Sequence, residues 1–355
     1  ASHNTYEFNG VKYFSNKGMK IPDSLEEEIE QVMESGKLEE LTACNDKIGV
    51  SENREDLLEE YVFFFRKIFE DKLLDVLDDN FKVVIDTANG ATSKVAPKVF
   101  KALGINYEVI NNCPDGININ KDCGSTHIEN LAKYVVENKF NLGVAYDGDG
   151  DRCLCVDENG NILDGDIILA IVSNYLKNNN MLKKDTLVAT VMSNLGLKKY
   201  CKENGIDFVQ TSVGDRYVLE SMLENGYNLG GEQSGHIIFL DYNPTGDGIL
   251  TSLMLIEILL KSKKKASELA SIVTIYPQVL VNAKVSGDKK YKYLEDEVIK
   301  AKIEEIEKEF ADTGRVLIRP SGTEPLVRVM IEGENQDILD KRAHELANLI
   351  EERLK

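Results

Sequence analysis

The chain has 355 residues, of which 42 are Lys or Arg and 61 are Asp or Glu, giving a formal net charge of −19. Such a charge repels nucleic acid and anionic membrane surfaces unless basic residues are gathered in one place. The basic run at 261–265 has the pattern of a solvated helix end. The longest apolar stretch, 249–260, contains Glu257 and is too short to span a bilayer, so it indicates a buried helix. We expect no nucleic-acid partner and no membrane partner.

Cysteine usage points to a reducing compartment. The six cysteines are scattered and form no C-x-x-C pair. Thiols in such a pattern act as small apolar residues rather than as a disulfide framework. We therefore predict a cytoplasmic protein.

The chain opens with few clear elements and then turns helical. Residues 11–15 ("VKYFS") are the one strand candidate in the first fifty residues. Residues 51–79 follow as a long amphipathic helix or helix pair, opened by Ser51 and acidic residues, as helix N-termini prefer.

Two segments then repeat one pattern. Residues 82–110 read as an apolar run, an Asn-Gly break, a helical stretch, a capping Gly104 and a second apolar run; residues 186–211 repeat that order with Asn194 and Gly205. Strands alternating with Gly-ended helices indicate βαβ units and mainly parallel sheets. The spacing suggests a duplicated α/β domain, although any two βα units share some likeness.

The C-terminal part has a different period. Residues 314–333 contain two runs of alternating apolar residues around a Ser-Gly-Thr turn, and a helical pattern closes the chain at about 336–354. The predicted fold class is therefore α/β: repeated α/β domains with mixed, mainly parallel sheets plus a smaller C-terminal α+β domain.

A cluster of aspartates lies on a loop between two apolar runs. Asp147, Asp149 and Asp151 alternate with glycines and precede Arg152. Three hard oxygen donors suit Mg²⁺ or Ca²⁺. An EF-hand is rejected because Arg152 stands where its loop needs Gly and the flanks look like strands. A phosphatase aspartate loop should follow the first strand of its domain, which this one does not. A solvated acidic turn stays open at this point.

Three further loops carry groups that suit a phosphorylated sugar. Glu232, Ser234 and His236 alternate among glycines and could bind vicinal hydroxyls, although a plain hairpin turn is the alternative. The 319–328 turn offers a basic and hydroxyl-rich nest for phosphate, formed by Arg319, Ser321, Gly322, Thr323 and Arg328. Ser2, within "ASHN", could be a nucleophile only with help, since a free hydroxyl is weak at neutral pH.

Together these loops resemble the α-D-phosphohexomutase superfamily. The sequences "ASHN", "DGDGDR", "GEQSGH" and "RPSGTEP" occur in that family's order and approximate spacing, over the whole chain. Residues 114–127, 213–222 and 228–239 are similar to its branch of bacterial phosphoglucosamine mutases.

The resemblance implies a function and a set of roles. A phosphoserine at Ser2 would pass its phosphoryl group to glucosamine 6-phosphate, and a 1,6-bisphosphate would return the 6-phosphate and leave glucosamine 1-phosphate. Mg²⁺ would be held by Ser2, Asp147, Asp149 and Asp151. The resemblance places Lys12, His3, Arg152 and His236 near the transferring group. Glu232 and Ser234 would hold the sugar, and the 319–328 nest would hold the other phosphate.

The resemblance also implies four domains. They would cover 1–55 (part of the first domain, with the serine loop), 56–160 (metal loop), 161–265 (sugar loop) and 266–355 (phosphate loop). A larger first-domain portion precedes the serine in the family, so we expect the chain to be a fragment, poorly soluble or inactive alone. Thr5 replaces the family's usual Pro, which implies a looser serine loop.

Alternatives remain at this point. A phosphoglucomutase or phosphomannomutase would use the same loops on another sugar, and a catalytically silent protein would only bind phosphosugars. The expected partner is a hexosamine phosphate, and the sequence is compatible with a homodimer.

Overall fold

The computed structural model describes residues 2–36, 38, 42–321 and 324–355. Eleven α-helices lie in these ranges: α1 Asp23–Glu34, α2 Asp56–Leu74, α3 Thr92–Ala102, α4 Glu129–Asn138, α5 Gly165–Asn178, α6 Leu195–Glu203, α7 Asp215–Asn225, α8 Gly248–Ser262, α9 Ala266–Ala270, α10 Glu297–Phe310 and α11 Gln336–Leu354. Short 3-10 helices cover Asn45–Lys47, Gly124–Thr126, Lys183–Asp185, Gly287–Lys289, Lys292–Leu294 and Ala311–Thr313. No helix of the described ranges is long and apolar enough to cross a membrane.

The strands form three sheets, and the chain divides into two compact units. The first unit contains the chain up to Met192 and then Gly205–Ile272, and the second contains Ser193–Asn204 and Val273–Lys355. The strands of the first unit are β1 Lys82–Asp86, β2 Asn106–Ile110, β3 Leu142–Tyr146, β4 Cys153–Asp157, β5 Ile162–Leu163, β6 Thr186–Thr190, β7 Asp207–Thr211, β8 Leu229–Gly231 and β9 Ile237–Phe239. Those of the second are β10 Gln278–Lys284, β11 Gly314–Pro320 and β12 Leu326–Gly333.

The two sheets of the first unit share one design. Their strand orders are β2-β1-β3-β4-β5 and β7-β6-β8-β9. In each sheet a central strand has a parallel neighbour on both sides, and an antiparallel strand follows at one side. Gly104 and Gly205 end the helical stretches in the left-handed region, with φ +71° and +63°. The predicted repetition of α/β sheets is confirmed.

Helix α8 lies in the core of the first unit. Every residue from Gly248 to Leu260 is buried, including Glu257. A buried carboxylate is stable only with partners. Glu257 has them: Lys261 donates to Oε1 at 2.6 Å, Tyr175 donates to Oε1 at 3.2 Å and the Lys72 ammonium lies 3.5 Å from Oε2. The predicted buried helix is confirmed.

Helix α2 is a single amphipathic helix, which is one of the two alternatives predicted for residues 51–79 (a long helix or a helix pair). Its buried residues, Val62, Phe65, Phe69 and Leu73, recur every three or four positions and so form one apolar stripe. The helix begins at Asp56 after Glu55. The expectation that Ser51 opens it was wrong, because Ser51 lies five residues before the first helical turn.

The predicted strand at 11–15 was also wrong. Only an isolated bridge joins Phe14 to Lys20 there. The backbone groups of this segment bond locally instead, since Ser15 N–H donates to Met19 at 2.8 Å and Gly18 N–H donates to Ser15 at 3.0 Å. A tight turn therefore takes the hydrogen bonds that a neighbouring strand would have supplied.

The second unit is a three-stranded antiparallel sheet, ordered β10-β12-β11, packed on α10 and α11. The predicted hairpin at 314–333 and the closing helix are confirmed. Glu332 is fully buried on β12 and accepts from Arg315 at 2.5 Å. It also accepts from Leu195 N–H at 2.9 Å and so connects the 193–204 segment to the sheet. The whole chain thus has the predicted fold class.

A buried hydrogen bond fixes the start of α8. Asp247 accepts from Leu250 N–H at 2.9 Å as the N-cap, and Tyr61 OH donates to its second oxygen at 2.7 Å. We predict that Tyr61→Phe lowers the free energy of unfolding by about 1.5–3 kcal/mol, because a buried carboxylate loses a donor. Denaturant unfolding measures the change. Tyr217→Phe, at an exposed position, should stay within about 0.5 kcal/mol; equal values for both variants would contradict the assignment.

Candidate active site

The aspartate loop joins β3 to β4, at the carboxyl end of β3. Asp147 is fully buried there. Its Oδ1 accepts from Gly150 N–H at 3.0 Å and from Arg152 N–H at 3.2 Å. Gly150 has φ +78°, which glycine adopts without steric cost. These bonds close the loop into a tight turn around the first aspartate.

The loop holds more negative charge than its own hydrogen bonds neutralise. Burial and the neighbouring Asp151 raise the pKa of Asp147 to about 7. Burial would also raise the pKa of Asp151, but His236 and Lys12 lower it below the usual range. Within the described residues, Asp147 Oδ2 and Asp151 Oδ1 are buried without a hydrogen-bond partner. The arrangement therefore favours a positive charge at this loop.

Lys12 supplies part of that charge. Its ammonium lies 2.7 Å from Asp149 Oδ2 and 3.2 Å from Asp151 Oδ2. Against the effect of burial, these two carboxylates raise the pKa of Lys12. No cluster of three or more metal-ligating side chains is formed among the residues that the structure describes. Lys12 therefore pairs with both Asp149 and Asp151, while Asp147 has the charge of Asp151 as its neighbour.

Ser2 lies directly against the aspartate loop. Its carbonyl accepts from Gly148 N–H at 2.9 Å and from the Asn120 side chain at 2.9 Å. A Cβ at Gly148 would stand 2.8 Å from that carbonyl, so only glycine permits this approach. Ser2 is 8% exposed. The serine and the first aspartate are thus neighbours.

Asn120 positions the serine loop, and the sequence analysis missed it. Its Nδ2 donates to Ser2 and, at 2.7 Å, to the carbonyl of Asn4. The residue is buried in the left-handed region with φ +56°, a conformation that Asn tolerates better than most residues. The run "PDGININKD" contains the turn-forming residues that could have indicated such a site.

His236 lies beside a pair that was also missed. Its Nε2 is 3.6 Å from Asp215 Oδ2, and Asp215 is bound by the Lys20 ammonium at 2.5 Å. Burial lowers the pKa of His236, although Asp151, Asp215 and Glu232 oppose the shift. In the described part of the chain, neither ring nitrogen has a hydrogen-bond partner. The imidazole therefore has unused hydrogen-bonding capacity in a buried position.

One cavity of about 320 Å³ brings most of these groups together. Its lining contains several residues predicted from sequence, namely Ser2, His3, Lys12, Asp151, Arg152, Glu232 and His236. Lys20 and Asp215 also line it. Arg152 lies 3.1 Å from His3 Nδ1, and burial together with Arg152 lowers the pKa of His3. A serine, several cations and three carboxylates, those of Asp151, Asp215 and Glu232, line one cavity.

The Glu232 loop joins β8 to β9 in the second sheet. Glu232 Oε1 accepts from Gly214 N–H at 3.1 Å, and Ser234 Oγ donates to Oε2 at 3.3 Å. The carboxylate is therefore held in a fixed direction at the cavity. Ser234 is exposed beside it.

The predicted phosphate nest lies in the second unit. Arg319 and Arg328 stand opposite each other on β11 and β12. Burial and the charge of Arg328 lower the pKa of Arg319. Ser321 is buried, and its Oγ accepts from Glu324 N–H at 3.2 Å. Gly322 and Thr323 lie outside the described residues. Two adjacent guanidinium groups favour an anion, since like charges opposite each other are destabilising.

Repeated α/β sheets that bring a buried serine to an aspartate loop are typical of phosphohexomutases. The chain belongs to the phosphoglucomutase/phosphomannomutase family. Its alpha/beta/alpha domains I, II and III match residues 1–40, 59–160 and 164–276, and its C-terminal domain matches 280–349. The domain boundaries expected from sequence, after residues 55, 160 and 265, stay predictions.

Curated relatives match the chain from end to end. A phosphoglucosamine mutase of Acetivibrio thermocellus is 56% identical over 100% of this chain and 78% of its own length. One of Caldicellulosiruptor saccharolyticus is 54% identical with the same coverage. This similarity agrees with the branch that the sequence resembles.

Solved structures share the fold. A putative phosphomannomutase from Thermus thermophilus has a TM-score of 0.75 at 20% identity, covering 99% of this chain and 77% of that one. The N-acetylphosphoglucosamine mutase of Aspergillus fumigatus, in complex with GlcNAc-6P and magnesium, has a TM-score of 0.70 at 20% identity, covering 88% and 69%.

Asn120→Ala tests how the serine is positioned. We predict that the variant folds but loses two hydrogen bonds to the serine loop, worth about 1–3 kcal/mol together. Hydrogen exchange at Gly148 N–H should accelerate, because its acceptor, the Ser2 carbonyl, is no longer fixed. Asn118→Ala is the matched control, since Asn118 bonds only within its own turn, to Asp115 and Cys113. Unchanged exchange at Gly148 in the Asn120 variant would contradict this role.

Proposed function

We propose that the chain is a phosphoglucosamine mutase, interconverting glucosamine 6-phosphate and glucosamine 1-phosphate through a phosphoserine at Ser2. The observation that carries the proposal is the end-to-end identity of 56% to a curated phosphoglucosamine mutase. The position of Ser2 supports it, because the serine lies at a cavity lined by cations and by Asp151.

The reaction needs two phosphoryl transfers. In the first, the sugar's C1 hydroxyl attacks the phosphorus of phosphoserine and gives its proton to a base, while the bond to Ser2 Oγ breaks and that oxygen takes up a proton. The product is the 1,6-bisphosphate and a free serine. In the second, Ser2 Oγ attacks the 6-phosphate and loses its proton, and the C6 oxygen leaves and is protonated. Glucosamine 1-phosphate and phosphoserine result, so atoms balance.

Four residues are assigned to the transferring group. Lys12 and Arg152 provide positive charge beside Ser2, where negative charge develops on the phosphoryl oxygens. His236, with its ring nitrogens unpaired among the described residues, and His3 are positioned to accept or donate the hydroxyl proton. Both histidines have lowered pKa values, mainly through burial. Neutral imidazole can act as a base, so this state suits proton transfer.

Two loops would bind parts of the substrate. Glu232 and Ser234 would bind sugar hydroxyls, since a carboxylate accepts and a hydroxyl both accepts and donates. Arg319, Arg328 and Ser321, with Gly322 and Thr323, would bind the phosphate that is not reacting. An exchange of the two phosphates requires the sugar to turn over between the transfers.

The donor set fits Mg²⁺. Asp147, Asp149 and Asp151 offer hard carboxylate oxygens, and two of those oxygens are buried without partners in the described chain. These residues, with the Ser2 phosphate, would hold the ion, and Lys12 would have to release Asp149. When bound, Mg²⁺ stabilises negative charge on the transferring phosphoryl group. Such an ion would compensate the fully buried charge of Asp147 and the neighbouring charge of Asp151.

The proposed activity defines the small-molecule partner. The substrate is a small hexosamine phosphate. Cytoplasmic location and a homodimer stay predictions.

Ser2→Ala tests the covalent route. We predict that turnover falls below detection while binding of glucosamine 1,6-bisphosphate is largely kept, since the phosphoryl group has no other carrier. A coupled assay and calorimetry measure the two quantities. Ser15→Ala, in the same segment but away from the cavity lining, is the control. Substantial activity of the Ser2 variant would rule out the scheme.

Asp149→Asn tests the metal site. Turnover should fall by roughly two to three orders of magnitude, since part of the charge stabilisation is lost. The Mg²⁺ concentration for half-maximal activity should also rise. Asp46→Asn, at an exposed site distant in sequence from the loop, should change neither. Normal metal activation of the Asp149 variant would place the metal elsewhere.

Arg319→Ala tests the phosphate nest. The KM for glucosamine 6-phosphate should rise about tenfold to a hundredfold, with a smaller change in kcat, because a charge-assisted contact of about 1.5–3 kcal/mol is removed. Arg342→Ala is the control, since Arg342 pairs with Glu309 and Glu345 on the surface. An unchanged KM would move the phosphate to other residues.

Parallel assays with glucose 6-phosphate and mannose 6-phosphate show which sugar phosphate the enzyme prefers.

A further inference from the structure

A second cavity lies at the opposite edge of the first sheet. Its volume is about 630 Å³. Phe81 and Asn141, which precede β1 and β3, and Glu158, which follows β4, line it. The aspartate loop begins at the other end of β3, about 17 Å away at the usual rise per residue. The cavity, which we call the lysine cleft, is therefore separate from the candidate active site.

Four lysines concentrate positive charge in this cleft. Lys139, Lys263, Lys264 and Lys265 all line it, on a chain whose net charge is −19. In the described ranges none of the four forms a direct ion pair, although Lys265 is close enough to influence Glu158. The helix end predicted at 261–265 thus brings Lys263, Lys264 and Lys265 to the cleft, together with Lys139 from a distant segment.

The two acidic residues of the lining are engaged elsewhere. Glu158 accepts from the Ser267 hydroxyl at 2.5 Å and from Ser267 N–H at 3.3 Å. Although burial opposes it, these bonds and Lys265 lower the pKa of Glu158. Asp78 accepts from Asn80 N–H at 2.8 Å. Four cations against two bonded carboxylates leave the cleft with an excess of positive charge.

Two of the lysines stand where glycine is the usual residue. Lys139 and Lys263 are the C-caps of α4 and α8, with φ +58° and +55°. Side chains other than glycine are disfavoured in this region, although a cation at a helix C-terminus complements the helix dipole. A purely structural cap would be served by glycine, so substitution by glycine separates backbone fit from side-chain charge.

We propose that the lysine cleft binds a phosphorylated organic anion of nucleotide size, with the phosphates held by Lys139, Lys263, Lys264 and Lys265. Lysine is a point-charge binder of phosphate. The volume is that of a small-molecule site. Apolar side chains, among them Val76, Phe81 and Leu260, share the lining, so the ligand needs an apolar or aromatic part as well as charge.

The test is calorimetric binding of ADP to the full chain, with EDTA and saturating glucosamine 6-phosphate to occupy the active site. We expect ADP to bind, pyrophosphate to bind more weakly and adenosine not to bind. Affinity for ADP should fall as salt rises, because the attraction is between exposed charges. Adenosine binding as tightly as ADP, or no binding of ADP and pyrophosphate, would overturn the proposal.

Variants locate the site. The double variant Lys139→Gly and Lys263→Gly should weaken ADP binding roughly tenfold or more while its Tm is equal or higher. Lys184→Gly is the matched control, because Lys184 is also left-handed, with φ +57°, but lies outside the cleft. Lys264→Gln, which leaves both caps intact, should weaken binding as well. Unchanged affinity in the cleft variants, or an equal loss in Lys184→Gly, would overturn the assignment.

Discussion

The candidate site depends on the cost of holding carboxylates of like charge close together at one turn, one of them fully buried. Asp147 is fully inside the fold, and burial with the nearby charge of Asp151 keeps its pKa near 7. Lys12 and His236 lower the pKa of Asp151 against burial. The cost is compensated only where cations converge. The same positive charges would stabilise a phosphoryl group during its transfer. The stability of this loop and the proposed catalysis therefore both need cations at the same place.

Close backbone approach makes that convergence possible. Gly148 lets the Ser2 carbonyl come within hydrogen-bond distance of the aspartate loop, and Asn120 holds Ser2 and Asn4 from the other side. In the proposed mechanism, a serine attached in this way keeps its position beside the aspartate loop. Fixing the reacting groups before the substrate arrives reduces the entropic part of the barrier.

The sequence could predict the parts of the molecule that have a local signal. Alternating apolar runs with capping glycines gave the strands and the helix of 336–354, and the aspartate loop was placed between strands. The positions of Lys20, Asp215 and Asn120 in the site could not be predicted from sequence. Their roles arise from contacts between distant segments, such as that of Asn120 with Ser2. The strand expected at 11–15 failed for a related reason: an apolar alternation does not reveal that a local turn takes its hydrogen bonds.

The proposed mechanism requires Ser2 to carry the phosphoryl group that the sugar receives. Its most direct measurement is mass spectrometry of the purified protein, with phosphosite mapping before and after addition of glucosamine 6-phosphate. We expect phosphate on Ser2 that is lost in step with the formation of glucosamine 1,6-bisphosphate, one molecule for each phosphoserine consumed. Turnover by a protein whose Ser2 never carries phosphate, or a phosphoserine that the sugar leaves unchanged, would contradict it.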